Sequence, residues 1–349
     1  MKYLFAMIIL SLVSSGRGQN YEVTGDLNER VLNPIGVVFT NYHCSFSVSV
    51  DSEKWFIRSE YAPNYFVEYG SDGQMVCTVL YDPDQPDVEL GRPGMVSSGT
   101  FPFSADPKNA VIWLALGSST FFKQYTNDMV PVPWSNPLSQ PDAFIYSCRR
   151  TFLVGGLPST LKWTVLNSLL KSALKNEVLP ANPSGFFIDA LSHYKPGFEG
   201  GEYSVSATTN FAGLEIPLHF RLRRYDPGGG VLVDYEGGVT GISRNSRSAF
   251  LPEVNGVVGV ADHRFKDKQH GMDMIRYSLT NAAWPAKGEG WLLTVYDESR
   301  AYALGTYRRP VSTKTPVILF FCLIFVIPPL FMASKWWLKK KRIEREGNK

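Results

Sequence analysis

Three things are scarce in this chain: cysteine, glycosylation acceptors and any surplus of charge. Four cysteines are few for 349 residues, and no Asn-x-Ser/Thr acceptor occurs. Together they exclude a disulfide-framework domain and point away from a glycosylated eukaryotic surface, toward a bacterial envelope. The formal net charge is only +3. With the basic residues of the two ends set aside, the body carries 26 basic against 30 acidic residues. It therefore lacks the basic face that nucleic acid requires. Gly-x-Ser-x-Gly and any phosphate loop are absent, and Gly228-Gly229-Gly230 and Gly237-Gly238 read as turn glycines because neither opens a helix. Long apolar runs are also missing, except at the two ends.

Those ends are the strongest signals present. Lys2 precedes an apolar run from Tyr3 to Val13, and small residues follow at Ser14, Ser15, Gly16 and Gly18. This is the pattern of a signal peptide over residues 1–18, too short to span a bilayer. Val317 to Ala333 is uncharged and without hydrogen-bonding side chains, and Thr315 to Ser334 is free of charge. Trp336 and Trp337 follow, then Lys339, Lys340, Lys341 and Arg342. The expectation is a transmembrane helix over 315–337, held by membrane lipid, with a basic cytoplasmic tail at 338–349. Residues 19–312 would then stand outside a plasma membrane as a single extracytoplasmic body, with a possible subdomain split near 180–200.

Within that body, period-2 patterning dominates. Cys44, Phe46, Val48 and Val50 alternate with Ser45, Ser47, Ser49 and Asp51, which is a strand with one wet face. Residues 35–81 read as an antiparallel meander, and further strands are expected at 201–209, 214–225, 230–236, 256–265, 273–280 and 290–297. Two helices interrupt the pattern. Asp106-Pro107 begins one over 107–124, and Leu161, Val165, Leu166, Leu169, Leu170, Ala173 and Leu174 predict another to about Lys175. The fold class implied is α+β: mainly antiparallel β, a large curved sheet or half-barrel with two helices on one face, plus the C-terminal transmembrane helix.

Candidate chemistry is sparse. Asp262, His263, His270 and Asp273 have metal-like spacing, but Arg264, Lys266, Lys268 and Arg276 interleave them and oppose a cation. Asp82, Asp84, Asp87 and Glu89 crowd one loop, where Pro83 and Pro86 break calcium spacing. No metal or other cofactor is expected. Cys44 and Cys77 are the candidate disulfide; a buried thiol at either is the alternative.

The segments Lys54-Trp55-Phe56-Ile57-Arg58 and Glu68-Tyr69-Gly70-Ser71-Asp72-Gly73, with Gly213 to Leu218 leading into Phe220-Arg221-Leu222, resemble the half-barrels of periplasmic lipoprotein carriers of the LolA/LolB type. The resemblance implies a fold and no functional residue. The function expected is non-enzymatic: an anchored, exported domain that binds an apolar ligand or an envelope protein. The alternatives are an envelope hydrolase assembled from distant residues, His219 and His263 among them, and an adhesin-like structural module.

Overall fold

The computed structural model describes residues 19–33, 36–84, 91–99, 107–122, 129–131, 145–164, 199–225, 229–267 and 271–306. The expected signal peptide, transmembrane helix and basic tail lie outside the described residues, as do His270, Asp87, Glu89 and the 180–198 stretch. Among the described residues, no helix is long and apolar enough to cross a membrane. The chain divides into two units, Met1–Asp297 and Glu298–Lys349. The first holds every strand.

Six strands open the fold: β1 (Asn20–Leu32), β2 (Val38–Asp51), β3 (Lys54–Ala62), β4 (Tyr65–Ser71), β5 (Met75–Tyr81) and β6 (Arg92–Ser98). Helix α1 (Pro107–Leu116) follows, then β7 (Met129–Pro131), β8 (Ile145–Phe152) and β9 (Pro158–Thr164). The remainder is β10 (Glu199–Phe211), β11 (Leu214–Tyr225), β12 (Val231–Ser243), β13 (Val257–Asp262), β14 (Ile275–Thr280) and helix α2 (Gly290–Ala303). All fourteen strands join one sheet in the order β14-β13-β6-β5-β4-β3-β2-β1-β12-β11-β10-β9-β8-β7. The β13–β6 pair is parallel and every other pair is antiparallel. The fold is thus α+β and mainly antiparallel.

The central strand β1 lies between β2 and β12, yet its sequence advertises it poorly. Its core-facing positions are Tyr21, Val23, Gly25, Leu27 and Glu29, so a glycine and a carboxylate interrupt the apolar alternation. Gly25 stands opposite Phe46, and a Cβ there would come within 2.6 Å of the Phe46 ring and 2.2 Å of the Gly238 carbonyl oxygen. An aromatic ring fills the room that the missing side chain leaves.

Three sequence expectations are corrected. The helix expected from Leu161 to about Lys175 is strand β9 as far as Thr164, because Leu161 and Trp163 are buried while Thr160 and Lys162 point outward, a period of two; 165–175 lie outside the described residues. The strand expected at 290–297 is helix α2. Its Leu292, Val295 and Tyr296 fall at helical spacing and pack against Phe265, Met272 and Ile275. Glu289 secures its start, since its side chain accepts a hydrogen bond from the Ala286 amide at 2.9 Å and its carbonyl accepts those of Leu292 and Leu293. The two helices do not share a face. Ile275 aligns across the ladder with Asp262, Val96 and Cys77, opposite the side on which α1 packs.

The same alternation settles the cysteines. Val76 belongs to the core around α1, whereas Cys77 belongs to a separate core with Val79, Val96, Val258, Val260 and Trp284. Cys44 lies in the first core, and Cys77 is a free thiol in the second. Three strand spacings of about 4.8 Å separate β2 from β5, well beyond disulfide reach. The expected Cys44–Cys77 bridge is therefore not formed.

Candidate functional site

One face of the sheet is apolar from β5 to β8, and α1 lies on it. Tyr21, Leu27, Val48, Ile57, Tyr69 and Val76 supply one part of the wall; Tyr235, Phe220, Leu222, Tyr203, Leu161 and Trp163 supply the rest. All are buried. Three inward glycines let rings from neighbouring strands lie close to the backbone. Gly25 faces Phe46, Gly237 faces Phe220, and Gly201 faces Trp163; a Cβ at Gly237 or Gly201 would come within 2.2 or 2.1 Å of those rings.

Helix α1 is apolar on every side. Each residue from Ala110 to Leu116 is at most 1% exposed. A helix without a wet face is stable only when surrounded, and α1 touches β3, β1, β12 and β11. Burying Val111, Ile112, Trp113, Leu114 and Leu116 is worth on the order of 10 kcal/mol before entropy is counted. Polar groups pin it near its two ends. Near the start, the Lys108 ammonium sits 3.2 Å from Glu29, whose carboxylate also accepts the Tyr235 hydroxyl at 2.9 Å. The same ammonium lies over the rings of Tyr42 and Tyr61, 4.9 and 5.2 Å from their centroids. Next to it the Ser59 hydroxyl donates to Asn109 Oδ1. At the far end the Tyr21 hydroxyl donates to the Leu116 carbonyl at 2.6 Å, and burial pushes the Tyr21 phenol well above its ordinary pKa.

Among the described residues, Asn109 Nδ2 and the Tyr203 hydroxyl are buried on this face without a hydrogen-bond partner. Orphaned donors in an apolar interior are uncommon and costly. Burial raises the Tyr203 pKa far above its usual value, so the phenol keeps its proton. Neither residue stands out in the sequence; each is an ordinary polar residue beside an apolar run.

The opposite face is charged over its central strands. Asp234 is gripped by Arg221, with Nε–Oδ1 and Nη2–Oδ2 both 2.7 Å, and by Arg30 at 2.7 Å. Burial alone would raise its pKa, but the Arg221 hydrogen bonds and charge, then Arg30 and Arg223, hold it below the ordinary value. A shallow depression of about 310 Å³ lies on this side over the bulge that Thr240 makes in β12 opposite β1, lined by residues including Thr24, Asp26, Ser45, Ser47, Arg58 and Glu60. Its charged groups are already paired: Asp26 with His43 at 3.5 Å, Arg58 with Glu60 at 3.7 Å and with Glu68 at 3.2 Å. It is a surface of cross-strand ion pairs, without a nucleophile bonded to a base.

Of the metal-like cluster, Asp262, His263 and Asp273 are described and His270 lies outside the described residues. Arg264 forks Asp262 at 2.9 and 2.6 Å, and the Tyr277 hydroxyl adds a third bond at 3.0 Å, so that carboxylate is committed. The His263 ring meets the Asp273 main chain; burial, then Lys266, lowers its pKa. Among the described residues no group of three His, Cys, Asp or Glu side chains could hold a metal ion. His219 and His263 lie on β11 and just after β13, with seven strands between β11 and β13 in the sheet.

No family model and no curated protein matches the sequence. Solved structures similar to it include a LolA superfamily protein from Nitrosomonas europaea and a DUF1329 family protein from Desulfovibrio piger. The first is 8% identical with a TM-score of 0.35, covering 67% of this chain and 89% of that one. The second is 8% identical with a TM-score of 0.30, covering 69% and 91%. The first of these neighbours carries the name of the superfamily that the meander resembles. At such scores they add nothing to the functional argument, which rests on the sheet and the helix seated on it.

Proposed function

We propose that this chain is a non-enzymatic binding protein that holds an apolar ligand, such as a lipid, against the α1 face of its sheet, from an exported body anchored by the 315–337 helix. The observation that carries the reading is α1 itself: a helix with no wet side, laid on an apolar wall and fastened by polar groups near its two ends. The wall curls around it. A flat sheet would spread β3 to β11 over four strand spacings, about 19 Å, more than one helix of about 10 Å diameter can touch. Contact with both strands needs a half-barrel, and inward glycines covered by aromatic rings are a known device for bending a sheet.

An apolar ligand enters such a half-barrel by sharing the wall with the helix. Asn109 Nδ2 and the Tyr203 hydroxyl are donors in search of an acceptor, which the ester or carboxyl oxygen of an amphiphile supplies. Among the described residues, no such gathering of groups supports hydrolysis: His43, His219 and His263 sit apart on β2, on β11 and just after β13.

The test uses the full chain in mild detergent. Organic extraction followed by mass spectrometry should recover an amphiphile in near-stoichiometric amount. The emptied protein should then bind the fluorescent probe N-phenyl-1-naphthylamine saturably and release it to added lysophospholipid. Absence of co-purified amphiphile together with unsaturable probe uptake would overturn the reading.

A further inference from the structure

The β1–β2 hairpin carries its apolar surface outside the core. Val37 is 57% exposed, Val38 49%, Phe39 81% and Tyr42 49%. Described residues on the two sides of the turn are joined by hydrogen bonds. The Asn33 carbonyl accepts from the Gly36 amide at 2.8 Å, the Asn33 amide donates to the Val37 carbonyl at 2.9 Å, and the Asn33 side chain accepts from the Val37 amide at 2.8 Å. The last ladder pair between β2 and β3 is Ser45 with Glu60, so Val38 to Cys44 have β1 on one side and no strand ladder on the other among the described residues. This part of β2 overhangs the sheet.

Two features specify what covers it. The β1–β2 register slips at Phe39, which has no ladder partner: Thr40 pairs with Val31 and Val38 with Leu32. Tyr42 therefore continues the line of Cys44 and Phe46, while Val38, opposite Leu32, falls on the charged side of the sheet. A protein groove would bury one of those faces; a fluid apolar medium accepts both. Charge agrees. From Val31 to Val50 there is no Asp, Glu, Lys or Arg, whereas the strand faces beyond are laced with ion pairs. The tilted rings of Tyr61 and Tyr65 pack with centroids 5.3 Å apart beside the β3–β4 turn, at the same end of the sheet as the overhang, and amphipathic rings suit the boundary between lipid and water. The apolar run beginning at Val317 is eleven residues beyond the last described residue, Thr306, so a bilayer holding it is within about 36 Å of chain from there.

We infer that the overhanging tip Val37-Val38-Phe39, with Tyr42 at its base, inserts into the interfacial layer of a lipid bilayer. Attraction is apolar, so high salt leaves it unchanged. The inference does not need the ligand reading: a body that binds nothing on its α1 face would still dip this hairpin into lipid.

The experiment reconstitutes the full chain into phosphatidylcholine vesicles. Cys322→Ser removes the thiol of the apolar run, and the buried Cys44, Cys77 and Cys148 resist labelling. An NBD dye is placed by Phe39→Cys, and in a second protein by Glu53→Cys, about 40 Å away at the other end of β2. The dye at position 39 should be quenched by nitroxides on the lipid acyl chains and shielded from aqueous iodide, and the dye at 53 should show the reverse. With the dye moved to Val37→Cys, adding Phe39→Asp should shift the ratio of inserted to exposed tip by about tenfold or more, the value of one large apolar side chain in water. Iodide quenching at 39 as strong as at 53 would overturn the inference. Shielding at 39 without lipid quenching, lost on dilution of the protein, would also overturn it and assign the overhang to contact between copies.

Discussion

Helix α1 brings Lys108 onto the apolar face of the sheet, and Glu29 is there to meet it, with side-chain exposures of 16% and 10%. Removing one partner of so buried a pair strands the other. Lys108→Met should therefore cost about 2–3 kcal/mol in urea unfolding, and adding Glu29→Gln should recover part of that loss; equal stability of the single variant and the parent would show the pair to be idle. Tyr203 makes the opposite prediction. Its hydroxyl is buried without a partner, so Tyr203→Phe should leave the empty protein as stable or gain about 1 kcal/mol while weakening amphiphile binding. A loss of stability in the empty protein would contradict this account. Asp234 sets a pH dependence. Its folded pKa lies below the unfolded one because of Arg221, then Arg30 and Arg223. The stability it contributes is complete above the unfolded value of about 3.9 and is lost as pH falls through the folded value. Asp234→Asn should flatten the fall of the unfolding midpoint below about pH 4.

At the scale of elements, the glycines on the wall are as decisive as the large residues. Gly237→Ala sets a Cβ within 2.2 Å of the Phe220 ring, which is itself buried. The ring has little room to retreat, so the variant should lose about 1–3 kcal/mol by thermal or urea unfolding; a neutral result would mean the sheet relaxes more freely than its packing implies. Helix α1 was legible in advance, because Pro107 at its first turn and an uninterrupted apolar run leave few alternatives. Strand β9 and helix α2 were not. Leu161 satisfies both a period of two and a period near 3.6, and only pairing with β8 and β10 decides for the strand. Trp291 to Tyr296 is rich in residues that strands favour, yet Leu292, Val295 and Tyr296 find a partner surface only as a helix. Intrinsic preference yields to whichever neighbour buries more.

The whole molecule turns on one sheet of fourteen strands serving two cores on opposite faces. The alternation of Cys44 to Asp51, the hairpin break at Gly70 to Gly73 and the antiparallel α+β class all follow from local chemistry and were readable from the chain, because a half-buried strand writes its two faces into successive residues. Composition also excluded a nucleic-acid face and a disulfide framework. Other features depend on residues far apart. β1 is central because β12, some 200 residues later, closes against it. Cys44 and Cys77 cannot pair because two intervening strands hold them apart and alternation turns them to opposite sides. Asp262 cannot serve a metal because Arg264 and Tyr277 claim it. The apolar wall exists only where β5 and β8, nine positions apart in the sheet, bury side chains around one helix. Local patterning determines which residues turn away from water; the order in which strands meet determines what they turn toward, since that order is chosen by long-range burial, which no short window of sequence contains.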